Sequence, residues 1–140
     1  MDLKTRGIIA NREVQIRRGV GSFKGQETDI HIDALTRNAK GDIADQITAI
    51  VETKGVWNPD LDRAMETQLR DRYLKDHHSP FGLYLVGWFN CAQWSNNDKR
   101  KRRSSKITLQ EARDKFNTQA EVVSKNGTTV KAFVLDASLQ

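Results

Sequence analysis

The amino-acid sequence predicts one α/β domain, and three observations lead there. Strand-like alternation fills the first third, helical periodicity follows it twice, and neither a linker nor an internal repeat divides the chain. A length of 140 residues suits a single domain. A domain of this size buries about two thirds of the surface its unfolded chain exposes, enough for a core without disulfide or metal staples. With 37% hydrophobic and 29% charged residues, the balance is that of a globular protein.

The elements follow in order. Arg12 to Arg18 alternates, with Val14 and Ile16 on one side and Glu13 and Gln15 on the other, so it reads as a strand. The glycine-rich GVGSFKGQ stretch reads as a turn or loop. Thr28 to Thr36 alternates again, with Ile30 and Ile32 facing one way and Asp29, His31 and Asp33 the other. RNAKGD is a turn signal, and Ile47 to Trp57 is β-branched and apolar enough for a buried strand. A hairpin of the second and third strands sets Asp29 to Asp33 beside Glu52 and Lys54.

The period then changes to 3.6. Asn58 as N-cap and Pro59 at the first helical position open a helix, and Asp60 and Asp62 suit the positive end of its dipole. Leu61, Ala64, Met65, Gln68, Leu69, Arg72 and Tyr73 form its inner stripe. It should stop before Ser79-Pro80. Phe81 to Phe89 reads as a central strand, and the polar segment from Asn90 to Lys106 as a long loop. Thr108 and Glu111 form a capping box for a helix from Leu109 to about Lys125, closed by Asn126-Gly127. A last strand follows, giving the order β, β, β, α, β, α, β.

Composition excludes several function classes. No apolar run reaches the 18 residues a membrane span needs, and the polar start is not that of a signal peptide. The single Cys91 excludes an intrachain disulfide and a cysteine-based zinc site, and fits a reducing, cytoplasmic setting. The net charge of +5 has a local source. Lys99, Arg100, Lys101, Arg102, Arg103 and Lys106 carry six positive charges within eight residues, and removing them takes the total from +5 to −1. The run has three readings: a solvated loop, a phosphate-contacting element whose affinity falls with salt, or a short localisation signal.

The candidate chemistry lies in the hairpin. Glu52 and Lys54 stand two apart on one face of a strand made of Ile47, Ile50, Val51 and Val56, all core types. Such a pair costs several kcal/mol if buried uncompensated, on the order expected for charges taken out of water. Two carboxylates, a backbone carbonyl and water make an all-oxygen site suited to Mg²⁺. The plain alternative is a solvated Glu–Lys pair on an exposed strand.

Asp29, then Glu52-Thr53-Lys54 in a hydrophobic strand, then a helix, resembles the PD-(D/E)XK core of the restriction-endonuclease-like nuclease superfamily. The resemblance covers about Arg12 to Phe89. Gln68 and Tyr73 are similar to the Gln-and-Tyr helix of its exonuclease branch, with a spacing one residue longer than usual. The chain departs from the literal motif in having Thr28 before Asp29, and its stretches NREVQIRR, VETKGVWNPDLDRAMETQLRDRYL and GLYLVGWF look similar to nuclease-like domains at the ends of large bacterial proteins. The resemblance implies a mixed central β-sheet flanked by helices and hydrolysis of phosphodiester bonds, in DNA above all. It implies Mg²⁺, with Mn²⁺ as a substitute, held by Asp29, Glu52, the Thr53 carbonyl and Glu13. Lys54 becomes the catalytic lysine, and Gln68 orients it or contacts a phosphate. Asp33 is the alternative to Asp29. The basic run, Lys99 to Lys106, would grip nucleic acid. A homodimer and membership of a larger multidomain protein are both compatible with these features.

Two rival readings stay open: a catalytically inactive nuclease-fold module that binds nucleic acid or protein, and an unrelated α/β interaction domain. Among single residues, His31 could approach metal or phosphate, or simply bond Asp33. His77-His78 reads as dipole-complementing surface. Trp57, Tyr73, Trp88 and Phe89 read as core, with the lining of a nucleic-acid groove as a second reading for Trp57, whereas Trp94 in its polar segment could stack on a base.

Overall fold

The structure is a computed structural model that describes residues 7–17 and 26–138, with side chains described for 7–11 and 30–138. Its frame is a five-stranded mixed sheet in the order β1-β2-β3-β4-β5. The strands are β1 (Ile8–Arg17), β2 (Gln26–Arg37), β3 (Ile43–Gly55), β4 (Phe81–Trp88) and β5 (Thr129–Asp136). β1, β2 and β3 form an antiparallel meander, and β4 and β5 join parallel to β3. Parallel neighbours need crossovers. A π-type helix, Met65–Leu74, links β3 to β4, and the short α1 (Lys99–Arg103) and the longer α2 (Leu109–Val123) lie between β4 and β5. The α/β reading and the order of the main elements therefore hold. The GVGSFKGQ loop lies mostly outside the described residues.

The β2–β3 hairpin turns tightly. The Asn38 side-chain oxygen accepts from the backbone N–H groups of Lys40 (2.9 Å) and Asp42 (3.0 Å), and Gly41 takes the positive φ of 87° that the turn requires. Pairing runs right up to this turn, so β3 begins at Ile43, four residues before the sequence places it. β1 likewise begins at Ile8, because β2 is long enough to give Ile8 to Asn11 partners. At its other end β3 stops at Gly55, where the chain turns and Asn58 N–H bonds the Gly55 carbonyl at 2.8 Å.

The π-type helix and α2 pack on one face of the sheet. Met65, Leu69, Tyr73 and Leu74 of the π-type helix meet Ala112, Phe116, Ala120 and Val123 of α2 over Ile50, Tyr84, Val86, Val130 and Val134. Burying each of the larger of these side chains contributes roughly 1.5–3 kcal/mol. The Tyr84 hydroxyl donates to the Leu61 carbonyl at 2.7 Å, tying the turn before the helix to the middle of β4. The Thr108–Glu111 capping box is present, and Asn126 and Gly127 both take positive φ after α2. On the opposite face Ile47, Phe81, Phe133 and Leu135 are 40–56% exposed. Ile47 is thus not core: the register sets it against Ala34, away from the helices.

Three further expectations need correction. Asn58 opens a series of turns and not a continuous helix: it accepts from Asp60 N–H at 2.8 Å, and helical winding begins only at Ala64. Arg72 is exposed and leaves the stripe, because the wider π-type pitch rotates it outward. The basic run is not a structureless loop. Its first five residues make the single turn of α1, capped by the Asp98 side chain accepting from Arg100 N–H at 2.8 Å.

Gly82 lets the π-type helix approach β4. A Cβ there would lie 3.0 Å from Leu74 Cδ1 and 3.2 Å from Leu69 Cδ2. Gly82→Ala is therefore expected to overpack this contact and to lower unfolding free energy by about 1–3 kcal/mol, read from urea denaturation.

Candidate functional site

Glu52 sits in the middle of β3 with its side chain toward the helices, between Ile50 and Lys54 on the same face. It is 2% exposed, and Lys54, at 12%, donates its ammonium to the Glu52 carboxylate. Thr53, between them, is half-buried with its side chain toward the other face. On the β4 side Glu52 is level with Tyr84, which is wholly buried. Burial above all, and then the Glu52 charge, pushes the Tyr84 phenol well above its ordinary pKa. A carboxylate in this position is costly to bury, and the Lys54 ammonium offsets part of that cost.

The register extends this position across the sheet. Ile30 pairs with Val51, so Asp29, the residue before Ile30, is level with Glu52. Arg12 pairs with Ile30 and Val14 with Thr28, so Glu13 is level with Asp29. Glu13, Asp29 and Glu52 thus occupy one backbone row over three neighbouring strands. The side chains of Glu13 and Asp29 lie outside the described residues.

Asp33 is placed differently. It pairs with Thr48, four residues before Glu52, or about 13 Å along a strand at roughly 3.3 Å per residue. Its carboxylate accepts from Thr48 Oγ1 (2.6 Å), Gln46 Nε2 (3.0 Å) and His31 Nε2 (3.2 Å). Burial raises the Asp33 pKa, but these hydrogen bonds and the His31 charge outweigh it and hold the carboxyl below its usual range. His31 is accordingly bonded to Asp33, and its ring also meets His77 edge-on, with centroids 4.9 Å apart. His77 is therefore no mere surface residue: it is half-buried at the end of the helical segment. Burial and the neighbouring His31 lower its pKa and favour the neutral ring. His78 is exposed, with φ 52°.

Gln68 is half-buried and Tyr73 is 8% exposed on the π-type helix. A π-type helix bonds residue i to i+5.

The basic segment is anchored to the end of β3. The guanidinium carbon of Arg100 stands 5.4 Å over the Trp57 ring, and that indole lies so close to Gly55 that a Cβ there would come within 2.5 Å of it. Trp57 and Phe89 both meet Trp94 edge-on, at 5.8 and 5.2 Å. Trp94 is 7% exposed and donates its indole N–H to Asp98 at 3.0 Å, so it is a core anchor and not a stacking platform. Arg100 also binds Asp98, holding that carboxyl far below its usual range. Lys101 donates to the Trp94 carbonyl (2.5 Å) and to Asn96 (2.9 Å). Lys99, Arg102, Arg103 and Lys106 lie along the same segment with their side chains exposed or half-exposed, and make no side-chain hydrogen bond or ion pair with other described residues. Asp98 just before the run was the readable signal for this cap.

Among the described residues no group of three His, Cys, Asp or Glu side chains is placed to hold a metal, and no helix is long and apolar enough to cross a membrane. No protein-family model, curated protein or solved structure matches the chain.

The Glu52–Lys54 pair permits a direct stability test. Lys54→Met alone takes the Lys54 ammonium away from the buried carboxylate and is expected to cost about 3–5 kcal/mol. Glu52→Leu combined with Lys54→Met removes both charges. The double variant should be near wild type or more stable, as denaturant midpoints will show.

Proposed function

We propose that this chain is a metal-dependent nuclease that hydrolyses phosphodiester bonds in DNA. One observation carries the reading: a carboxylate 2% exposed in the centre of a mixed sheet, held by the lysine two residues on, in backbone register with Asp29. A pair so costly to bury serves chemistry better than stability. The register also favours Asp29 over Asp33, whose carboxylate is committed to Thr48, Gln46 and His31.

Asp29 and Glu52, with the Thr53 carbonyl and Glu13, are the residues that would hold Mg²⁺ or Mn²⁺, and an all-oxygen donor set of this kind fits those ions. When bound, the ion supplies an activated water and neutralises charge on the phosphate. The protein's own groups do the rest. Lys54 holds its ammonium on the Glu52 carboxylate, and from there it steadies negative charge developing on the scissile phosphate. Gln68, from the helix over that strand, orients Lys54 or a phosphate oxygen. Lys99, Arg102, Arg103 and Lys106 grip the backbone of the nucleic acid, while Arg100 and Lys101 are committed to holding α1 in place. The Trp57–Arg100 contact ties this grip to the strand end just beyond Lys54.

An inactive nuclease-fold module draws on one observation of its own: Lys54 already neutralises Glu52 without a metal. Cleavage separates the two readings. With Mg²⁺ and circular or linear DNA, the wild type should cut, while Glu52→Gln, which is nearly isosteric, and Lys54→Arg, which keeps the charge, should lose at least about two orders of magnitude in rate. Equal cleavage by both variants contradicts the nuclease. DNA binding without cleavage by any form favours the inactive module.

Binding tests the basic element separately. Changing Lys99, Arg102, Arg103 and Lys106 together to Ala should weaken DNA affinity and flatten its salt dependence, by about 0.9 in log–log slope for each phosphate that is no longer neutralised. Single Arg100→Ala or Lys101→Ala variants should instead lower thermal stability, since they remove the anchors of α1.

A further inference from the structure

We propose that His31 and His77 form a second metal site, independent of the nuclease reading, that takes a borderline divalent transition ion such as Zn²⁺. His31 Nδ1 and His77 Nε2 are both buried and have no hydrogen-bond partner, on rings whose centroids are 4.9 Å apart. Two buried ring nitrogens left this way are costly, and native proteins supply an ion or a water for them.

The rest of the arrangement is that of a prepared ligand. Asp33 accepts from His31 Nε2 at 3.2 Å and is itself held by Thr48 and Gln46. With Nε2–H bonded to Asp33, the neutral form of the ring carries its lone pair on the buried Nδ1. Metal-bound histidines are oriented in this way by a carboxylate on the far ring nitrogen. The separation also fits. With metal–nitrogen bonds of about 2.0–2.1 Å, an ion to which both nitrogens turn would lie about 3.2 Å from each ring centroid, and centroids 4.9 Å apart would subtend about 100° at it, close to tetrahedral.

Imidazole nitrogens select Zn²⁺, Co²⁺, Ni²⁺ or Cu²⁺ over Mg²⁺, so Mg²⁺ at the carboxylate row would leave this site open. Because His31 belongs to β2 and His77 follows the π-type helix, the ion would clamp the end of that helical segment to the sheet. Two protein ligands leave the remaining positions to water.

The test uses the full chain, freed of metal with a chelator and titrated with Co²⁺ and with Zn²⁺. One equivalent of Co²⁺ should give a visible d–d spectrum, Zn²⁺ should displace it, and Zn²⁺ should raise the melting temperature. His77→Ala and His31→Ala should each abolish all three effects. Asp33→Asn should weaken affinity by about 10–100-fold. His78→Ala and Glu52→Gln should bind as the wild type does. If His31→Ala does not fold, His77→Ala and Asp33→Asn still decide the matter. Absence of uptake by the wild type, uptake retained in His77→Ala, or loss in Glu52→Gln would each overturn the proposal.

Discussion

The constraint on which the rest of the structure depends is a carboxylate buried in the central strand. Glu52 occupies a position that Ile50 and Tyr84 on either side mark as core, and its burial demands a cation within reach. Lys54 meets that demand because residues two apart on a strand share a face. The same placement explains the surroundings. Tyr84, level with Glu52, sends its hydroxyl away to the Leu61 carbonyl, so the core there is satisfied without using the acid. What is left is a charged pair at one level of the sheet, walled by aromatic and aliphatic side chains.

The π-type helix and α2 hold this arrangement from one side. Gly82 allows Leu69 and Leu74 to seat directly on β4, and the Ser79 hydroxyl donates to the Thr48 carbonyl at 2.6 Å where the chain returns to the sheet. On α2, Lys115 pairs with Asp62 at 2.6 Å and Gln119 donates to the Asp62 carbonyl at 2.7 Å, which locks the turns preceding the π-type helix. At the other end of β3, the cluster of Trp57, Trp94 and Phe89 with the Asp98 cap makes the first five residues of the six-charge run a docked helical turn. The net charge of +5 is therefore an anchored patch, four of whose cations are left over from the anchoring.

Much of this was legible in the sequence where the determining physics is local. The Thr108–Glu111 capping box, the Asn38–Asp42 turn and the alternation of β2 each depend on neighbours a few residues away. The Glu52–Lys54 pair was legible because two charges in an apolar strand contradict their surroundings. What the sequence withheld depends on distant partners. His77 is half-buried only because β2 brings His31 against it, and Ile47 is exposed only because the helices cover the other face. Trp94 became core through Trp57, which lies far back along the chain, although its own segment is polar.

The central claim is that the acids in register on β2 and β3 hold a hard cation, and binding tests it without reference to catalysis. Mn²⁺ titration of the wild type, followed by loss of the free-ion paramagnetic resonance signal, should show at least one bound ion. Both Asp29→Asn and Glu52→Gln should lose it, and Asp33→Asn should keep it, since the register sets Asp33 four residues from Glu52. Binding that survives in both Asp29→Asn and Glu52→Gln, or that disappears in Asp33→Asn, would contradict the account.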